Sequence, residues 1–203
     1  FNNIDNEIKR INKSSADYIH VDIMDGNFVK NNTSELFNLE KISSLSKKKL
    51  DIHLMVQKPN EIIDLYCLPT TEIISIHYES ECNFNKTFNK LKDKNIKCGL
   101  AINPDTKISS IKPLLKLVDL VLVMSVYPGK GGQIFINKTF NKILELKKIT
   151  NRKNHSIKIS VDGGVDDTNS KNLINIGCDI LVSGTYLIKS ENIEKSIKSM
   201  LNR

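Results

Sequence analysis

The chain has 203 residues, 39% of them hydrophobic, and a formal net charge of +7. That length suits one domain with a sizeable core, and no stretch approaches the ~20 consecutive apolar residues of a membrane-spanning helix. The lysines are dispersed, apart from a short block at Lys47–Lys49, and basic and aromatic residues are not interleaved. This speaks against a nucleic-acid partner and suits either a solvated surface or a small anionic ligand.

Asn2–Lys13 carries Ile4, Ile8 and Ile11 three or four residues apart, the spacing of an amphipathic helix. Short β-branched runs then recur at Tyr18–Ile23, Leu50–Val56, Ile73–His77, Lys97–Ile102, Leu120–Met124, Ile157–Val161 and Ile180–Val182. Stretches of helical period separate them, such as Phe140–Lys147, and the chain closes on Glu191–Leu201 with Ile193, Ile197 and Leu201 in register. One helix followed by seven strand–helix units predicts a parallel sheet with crossover helices. Seven strands behind an orphan helix predict a single (β/α)8 barrel over residues 1–203. Its first strand is expected upstream of Phe1, between the Tyr18–Ile23 and Ile180–Val182 strands. A doubly wound open sheet is the alternative. No linker or shift in composition marks a second domain.

The spacing of Cys67, Cys82, Cys98 and Cys178 fits neither a zinc knuckle nor a CxxC redox pair. Cys98 and Cys178 lie in apolar runs and read as buried thiols, which suits a reducing compartment. The expected location is the cytoplasm. The chain begins at Phe1 and shows no signal-peptide pattern, so a removed targeting segment remains open.

Polar residues interrupt the strands at particular places. In "YIHVDIMDGNFV", His20, Asp22 and Met24 alternate with Val21 and Ile23 and therefore share one face. In "LDIHLMV", Asp51, His53 and Met55 do the same. The third strand ends in His77, with Glu79 beside it as a candidate partner, the fifth near Met124, the sixth at Asp162 and the seventh at Gly184. The C-terminal ends of barrel strands form the active site. Singly, each of these residues also reads as an ordinary hydrogen-bonded histidine or a turn aspartate. Jointly, His20, Asp22, His53 and Asp162 form a nitrogen/oxygen donor set for one divalent transition metal. Gly131-Gly132, Gly163-Gly164 and Gly184-Thr185 follow the last three strands, where backbone N–H groups can approach an anion closely. Beside a metal-like cluster, they point to a sugar phosphate.

The segments "HVDIMDGNFV", "DIHLMV", "GLAINPDT", "VLVMSVYPGKGGQ", "VDGGV" and "LVSGT", in this order over nearly the whole chain, resemble the signature segments of ribulose-phosphate 3-epimerases. The resemblance implies a (β/α)8 barrel that interconverts ribulose 5-phosphate and xylulose 5-phosphate in the pentose phosphate pathway. It implies a metal held by His20, Asp22, His53 and Asp162, with Asp22 and Asp162 also acting as the acid and base. Met24, Met55 and Met124 would pack near the reacting carbons, with His77 lining the substrate. Gly129, Lys130, Gly131, Gly132, Gly163, Gly164, Gly184 and Thr185 would hold the phosphate. Zinc, iron(II), manganese and cobalt all accept such ligands. The implied partner is a small sugar phosphate, with no nucleic acid or membrane, and a homo-oligomer is expected. Two other readings stand beside this one: an epimerase of a related ketohexose 6-phosphate, and a non-catalytic metal- or phosphate-binding barrel. The chain departs from the family at three points. It has no counterpart of the first strand with its serine, Lys130 stands where the loop usually has Phe, and no glycine-proline turn is apparent near Asn32–Leu36.

Overall fold

The β-branched runs pair side by side. In the computed structural model, which describes residues 4–33, 38–152 and 156–201, they form β1 (Tyr18–Met24), β2 (Lys49–Met55), β3 (Thr71–His77), β4 (Lys97–Ile102), β5 (Leu120–Met124), β6 (Lys158–Asp162) and β7 (Ile180–Val182). Each strand is parallel to the next, and the spatial order is the chain order. A doubly wound sheet would reverse direction partway across, so the unbroken order excludes that alternative. The result is a nearly closed barrel with helices outside it. Among the described residues, β1 and β7 each pair with one neighbour only. Most of the Asn32–Leu36 stretch, where no glycine-proline turn is apparent in the sequence, lies outside the described residues.

The helices differ in quality. α1 (Ile4–Asn12) buries Ile8 as its spacing predicts. After α2 (Leu39–Leu45), the crossover between β2 and β3 is only α3 (Pro59–Ile62) continued as a 3-10 turn. α4 (Phe84–Asp93) is regular: the Asn83 side chain accepts from the Lys86 N–H, and Phe88 and Leu91 face inward. α5 (Ile108–Ile111) is again short. α6 (Lys138–Arg152) extends well beyond the predicted Phe140–Lys147. Then come α7 (Ser170–Asn175), α8 (Thr185–Lys189) and α9 (Ile193–Leu201).

Alternation along the strands creates two apolar layers. Ile19, Val21 and Ile23 of β1, with Val121 and Val123 of β5, face outward into the large core beneath the helices. Ile73, Ala101, Leu120, Leu122, Met124 and Val126 pack inside the barrel. The four cysteines are free, and burial pushes the Cys98 and Cys178 thiols up to about 12, which fits inert structural residues. No helix among the described residues is long and apolar enough to cross a membrane.

Candidate functional site

The β1/β2 register decides which polar side chains meet. It sets His20 beside Asp51, Asp22 beside His53, and Met24 beside Met55. Both polar pairs close: His20 Nδ1 lies 2.8 Å from Asp51 Oδ2, and His53 Nδ1 lies 2.9 Å from Asp22 Oδ1. β6 is four strands along from β2, which in a flat sheet would be roughly 19 Å. Curvature of the barrel instead brings Asp162 Oδ2 to 3.8 Å from His53 Nδ1 and 4.0 Å from His20 Nε2. One donor atom from each of His20, Asp22, His53 and Asp162 therefore lies within 4.8 Å of all the others.

These four residues fit a divalent cation on two further observations. His20 Nε2 is buried, has no hydrogen-bond partner and lies 3.3 Å from Asp22 Oδ1, while its other nitrogen is held by Asp51. Anchoring one ring nitrogen on a carboxylate is the usual way to orient a metal-binding imidazole. The donor set, two imidazoles and two carboxylates, suits a borderline transition metal. Asp51 is an addition to the predicted roles. Its signal in the sequence is its place two residues before His53, on the same face.

The two central carboxylates titrate in opposite directions. Burial, then the neighbouring Asp22 charge, pushes Asp162 up to about 6. Burial acts on Asp22 in the same sense, but the His20 and His53 imidazoles close against it outweigh burial and hold this carboxyl well below the usual range. His20 is raised well above 6.5: burial opposes this, and the Asp51 charge, the hydrogen bond to Asp51 and the nearby Asp22 carboxylate prevail. The pair thus has room for one proton between two carboxylates, the arrangement an acid and a base require.

Above the cluster, Asp22, Met24, Met55, Met124 and Asp162 form the floor of a cavity of about 960 Å3. Its walls include Gly129, Lys130, Gly131, Gly132, Gly163, Gly164, Gly184 and Thr185, so all three glycine loops converge on one cavity. Gly164, at φ +64°, shows why glycine is needed: a Cβ there would sit 2.7 Å from Gln133 O and Phe135 N. Gln133 went unnoticed in the sequence. Its side-chain amide donates to the carbonyls of Tyr127 and Lys130 at 2.7 and 2.9 Å and so holds the loop folded. Asn31 donates to Gly129 O at 2.5 Å and ties the loop after β1 to the loop after β5.

His77 differs from expectation. It has no exposed surface and does not line the cavity. Its ring lies behind His53, with 2.9 Å between the two Nε2 atoms, because β3 neighbours β2 and aims the side chain at the back of the four-residue cluster. Its Nδ1 lies 3.0 Å from Glu79 Oε2, as the sequence neighbour suggested. Burial chiefly lowers His77 to about 4, while Glu79, despite its own burial, is lowered by hydrogen bonds from His77, Thr106 and the Asn103 N–H.

Residues 1–188 match the family model described as the ribulose-phosphate 3 epimerase family. The ribulose-phosphate 3-epimerase of Helicobacter pylori is 41% identical over 189 residues, covering 93% of this chain and 87% of that one. The chloroplastic ribulose-5-phosphate-3-epimerase of Arabidopsis thaliana is 35% identical over 202 residues, 98% of this chain and 72% of that one. A solved structure of Mycobacterium tuberculosis tryptophan synthase matches with a TM-score of 0.70 at 9% identity, covering 98% of this chain and 85% of that one, a likeness of fold alone. Motifs, barrel and sequence relatives agree, and the chain belongs to the ribulose-phosphate 3-epimerase family.

Proposed function

We propose that the chain interconverts D-ribulose 5-phosphate and D-xylulose 5-phosphate by moving a proton at carbon 3. The observation that carries this reading is the pair Asp22 and Asp162, adjacent on the cavity floor and pushed to opposite sides of the usual carboxylate range. Epimerisation next to a ketone removes a weakly acidic C–H proton and returns a proton to the opposite face. An ionised carboxylate takes the first and a protonated one supplies the second. The reverse reaction exchanges their roles. A divalent cation held by His20, Asp22, His53 and Asp162 would supply Lewis-acid stabilisation of the negative charge that builds on the substrate oxygens. Met24, Met55 and Met124, each under a tenth exposed, surround the carboxylates with polarizable apolar surface and limit water. The glycine loops hold the phosphate at the far end of the cavity, with Lys130 exposed at its edge.

The test is a coupled assay for xylulose 5-phosphate formation, run with and without a chelator and repeated with a ketohexose 6-phosphate. Turnover of the pentulose phosphate that disappears with the chelator and returns with added metal is the expected result. Preference for the ketohexose phosphate would reassign the substrate, and full activity in metal-stripped protein would remove the metal from the reading. In heavy water, product of a single pass should carry solvent deuterium at carbon 3. Substantial transfer of the substrate's own proton would mean one base serving both faces.

A further inference from the structure

The hydrogen bonds behind His53 have a direction. The Nε2 atoms of His53 and His77 are 2.9 Å apart, so one proton lies between them; two would collide, and none would oppose two lone pairs. At the other end of His77, Nδ1 faces Glu79 Oε2 at 3.0 Å. Glu79 Oε1 accepts from the Asn103 backbone N–H at 3.1 Å and from the Thr106 hydroxyl. A carboxylate secured this way is an acceptor toward the ring as well, so His77 donates from Nδ1. Its Nε2 then carries no hydrogen and accepts from His53 Nε2–H. Where a cation replaces the hydrogen between His53 Nδ1 and Asp22 Oδ1, 2.9 Å apart, a His53 protonated on Nε2 offers that cation the Nδ1 lone pair, with Asp162 Oδ2 3.8 Å away.

We infer that Glu79 and His77 are positioning residues that fix His53 in its Nε2–H tautomer and so present Nδ1 to the divalent cation. The inference rests on the proposed metal site. It gives a role to a histidine that does not line the cavity above the cluster, and to the carboxylate beyond it. The arrangement is a carboxylate–imidazole support for a metal ligand with a second imidazole interposed. Loss of such supports typically weakens metal binding by about 10–100-fold.

Two variants separate this role from simple packing. In Glu79→Gln, the Asn103 N–H holds the amide oxygen in place of Oε1, and the amide NH2 faces His77 Nδ1. His77 must then accept at Nδ1 and carry its proton on Nε2, which drives the His53 proton onto Nδ1, in the cation's place. Glu79→Ala removes more of the side chain but imposes no donor. The zinc dissociation constant, measured by chelator competition, should therefore rise about 10–100-fold in Glu79→Gln and less in Glu79→Ala. Nitrogen-15 NMR of the metal-free proteins should show His77 protonated on Nδ1 in the wild type and on Nε2 in Glu79→Gln. A packing role predicts the opposite ranking, with the truncation worse than the isostere. That ranking, or a wild-type His77 protonated on Nε2, overturns the inference. If the wild type binds no zinc, the metal site itself falls, and the NMR of the metal-free protein still decides whether Glu79 sets the tautomer.

Discussion

Inside the barrel, β1, β2 and β3 turn His20, Asp22, Asp51, His53, Ser75 and His77 inward, whereas β4 and β5 turn in Ala101, Leu120, Leu122 and Met124. Outside, the same strands are alike: Ile19, Val21, Ile23, Val121 and Val123 all join one apolar layer. The outward faces are therefore alike in kind. The inward faces are not, because the apolar half needs only contact and the polar half needs partners. That half meets the need through His20–Asp51, Asp22–His53 and His53–His77–Glu79. Even so, His20 Nε2, Asp51 Oδ1, Ser75 Oγ and Ser160 Oγ are buried without a protein partner. Each such atom costs about 1–3 kcal/mol unless water or a ligand satisfies it. One half of the interior holds the barrel together, and the other is maintained at a cost in stability for its chemistry.

The sharpest way to break this contrast is to remove one of the two proposed acid/base groups from the polar half. Asp162→Asn should lower kcat by about 10³-fold or more, since in the proposed mechanism it deletes proton transfer and a metal ligand together. Thermal unfolding of the metal-free variant should be no worse than that of the metal-free wild type, because a buried carboxyl held at about 6 is not a stabilising charge. Metal content measured alongside separates loss of the ion from loss of the base. A variant that keeps most of its kcat would end the paired-carboxylate reading.

The matching change in the apolar half should do the reverse. Leu122, 1% exposed inside β5, sits two residues before Met124. Leu122→Ala should cost about 2–5 kcal/mol in urea unfolding, with kcat per folded molecule changed only a few-fold. A large kcat loss without loss of stability would show that the two halves are not separable.

A smaller effect sharpens the picture through pH. Asp162 in the metal-free protein lies at about 6, above its ordinary 3.8, so the folded state binds that proton more tightly than the unfolded chain. Metal-free stability should then fall as pH rises through that window. His20 continues the trend: its raised value gives stability that is complete below 6.5 and lost as pH climbs through the folded value. Asp22, being lowered, contributes stability that is lost only as pH falls below its ordinary 3.8, outside this window. A cation held at the proposed site displaces the protons on Asp162 and His20. The rise in Tm on adding zinc should therefore grow between about pH 5 and 7. A zinc effect that is flat in pH would mean that these residues do not exchange protons for metal.

Much of this was legible in order and period. β1 and β2 read as alternating strands because Val21, Ile23, Ile52 and Leu54 interleave with their polar residues, and the four donors stood out as polar groups at strand ends. His77 was misplaced for a physical reason. Alternation shows that a strand-end residue points inward, yet not whether it meets the cavity or a neighbouring side chain. Asp51 was seen on the right face without a role, since its partner lies on another strand. Gln133 left no signal, because its acceptors are backbone carbonyls whose positions depend on how the loop folds.

The alternation of strand and helix, the face on which each strand carries its polar residues, and the glycines of the three loops are written in the order of residues along the chain. These are local properties, set by periods of two and of 3.6 residues and by what a side chain or its absence allows. That His20 leans on Asp51, that Asp22 meets His53, that Asp162 arrives from the far side, and that His77 stands behind the cluster with Glu79 follows from the folded arrangement. Those contacts depend on the register between strands and on the curvature that closes the sheet, and both are settled by packing among residues distant in the chain.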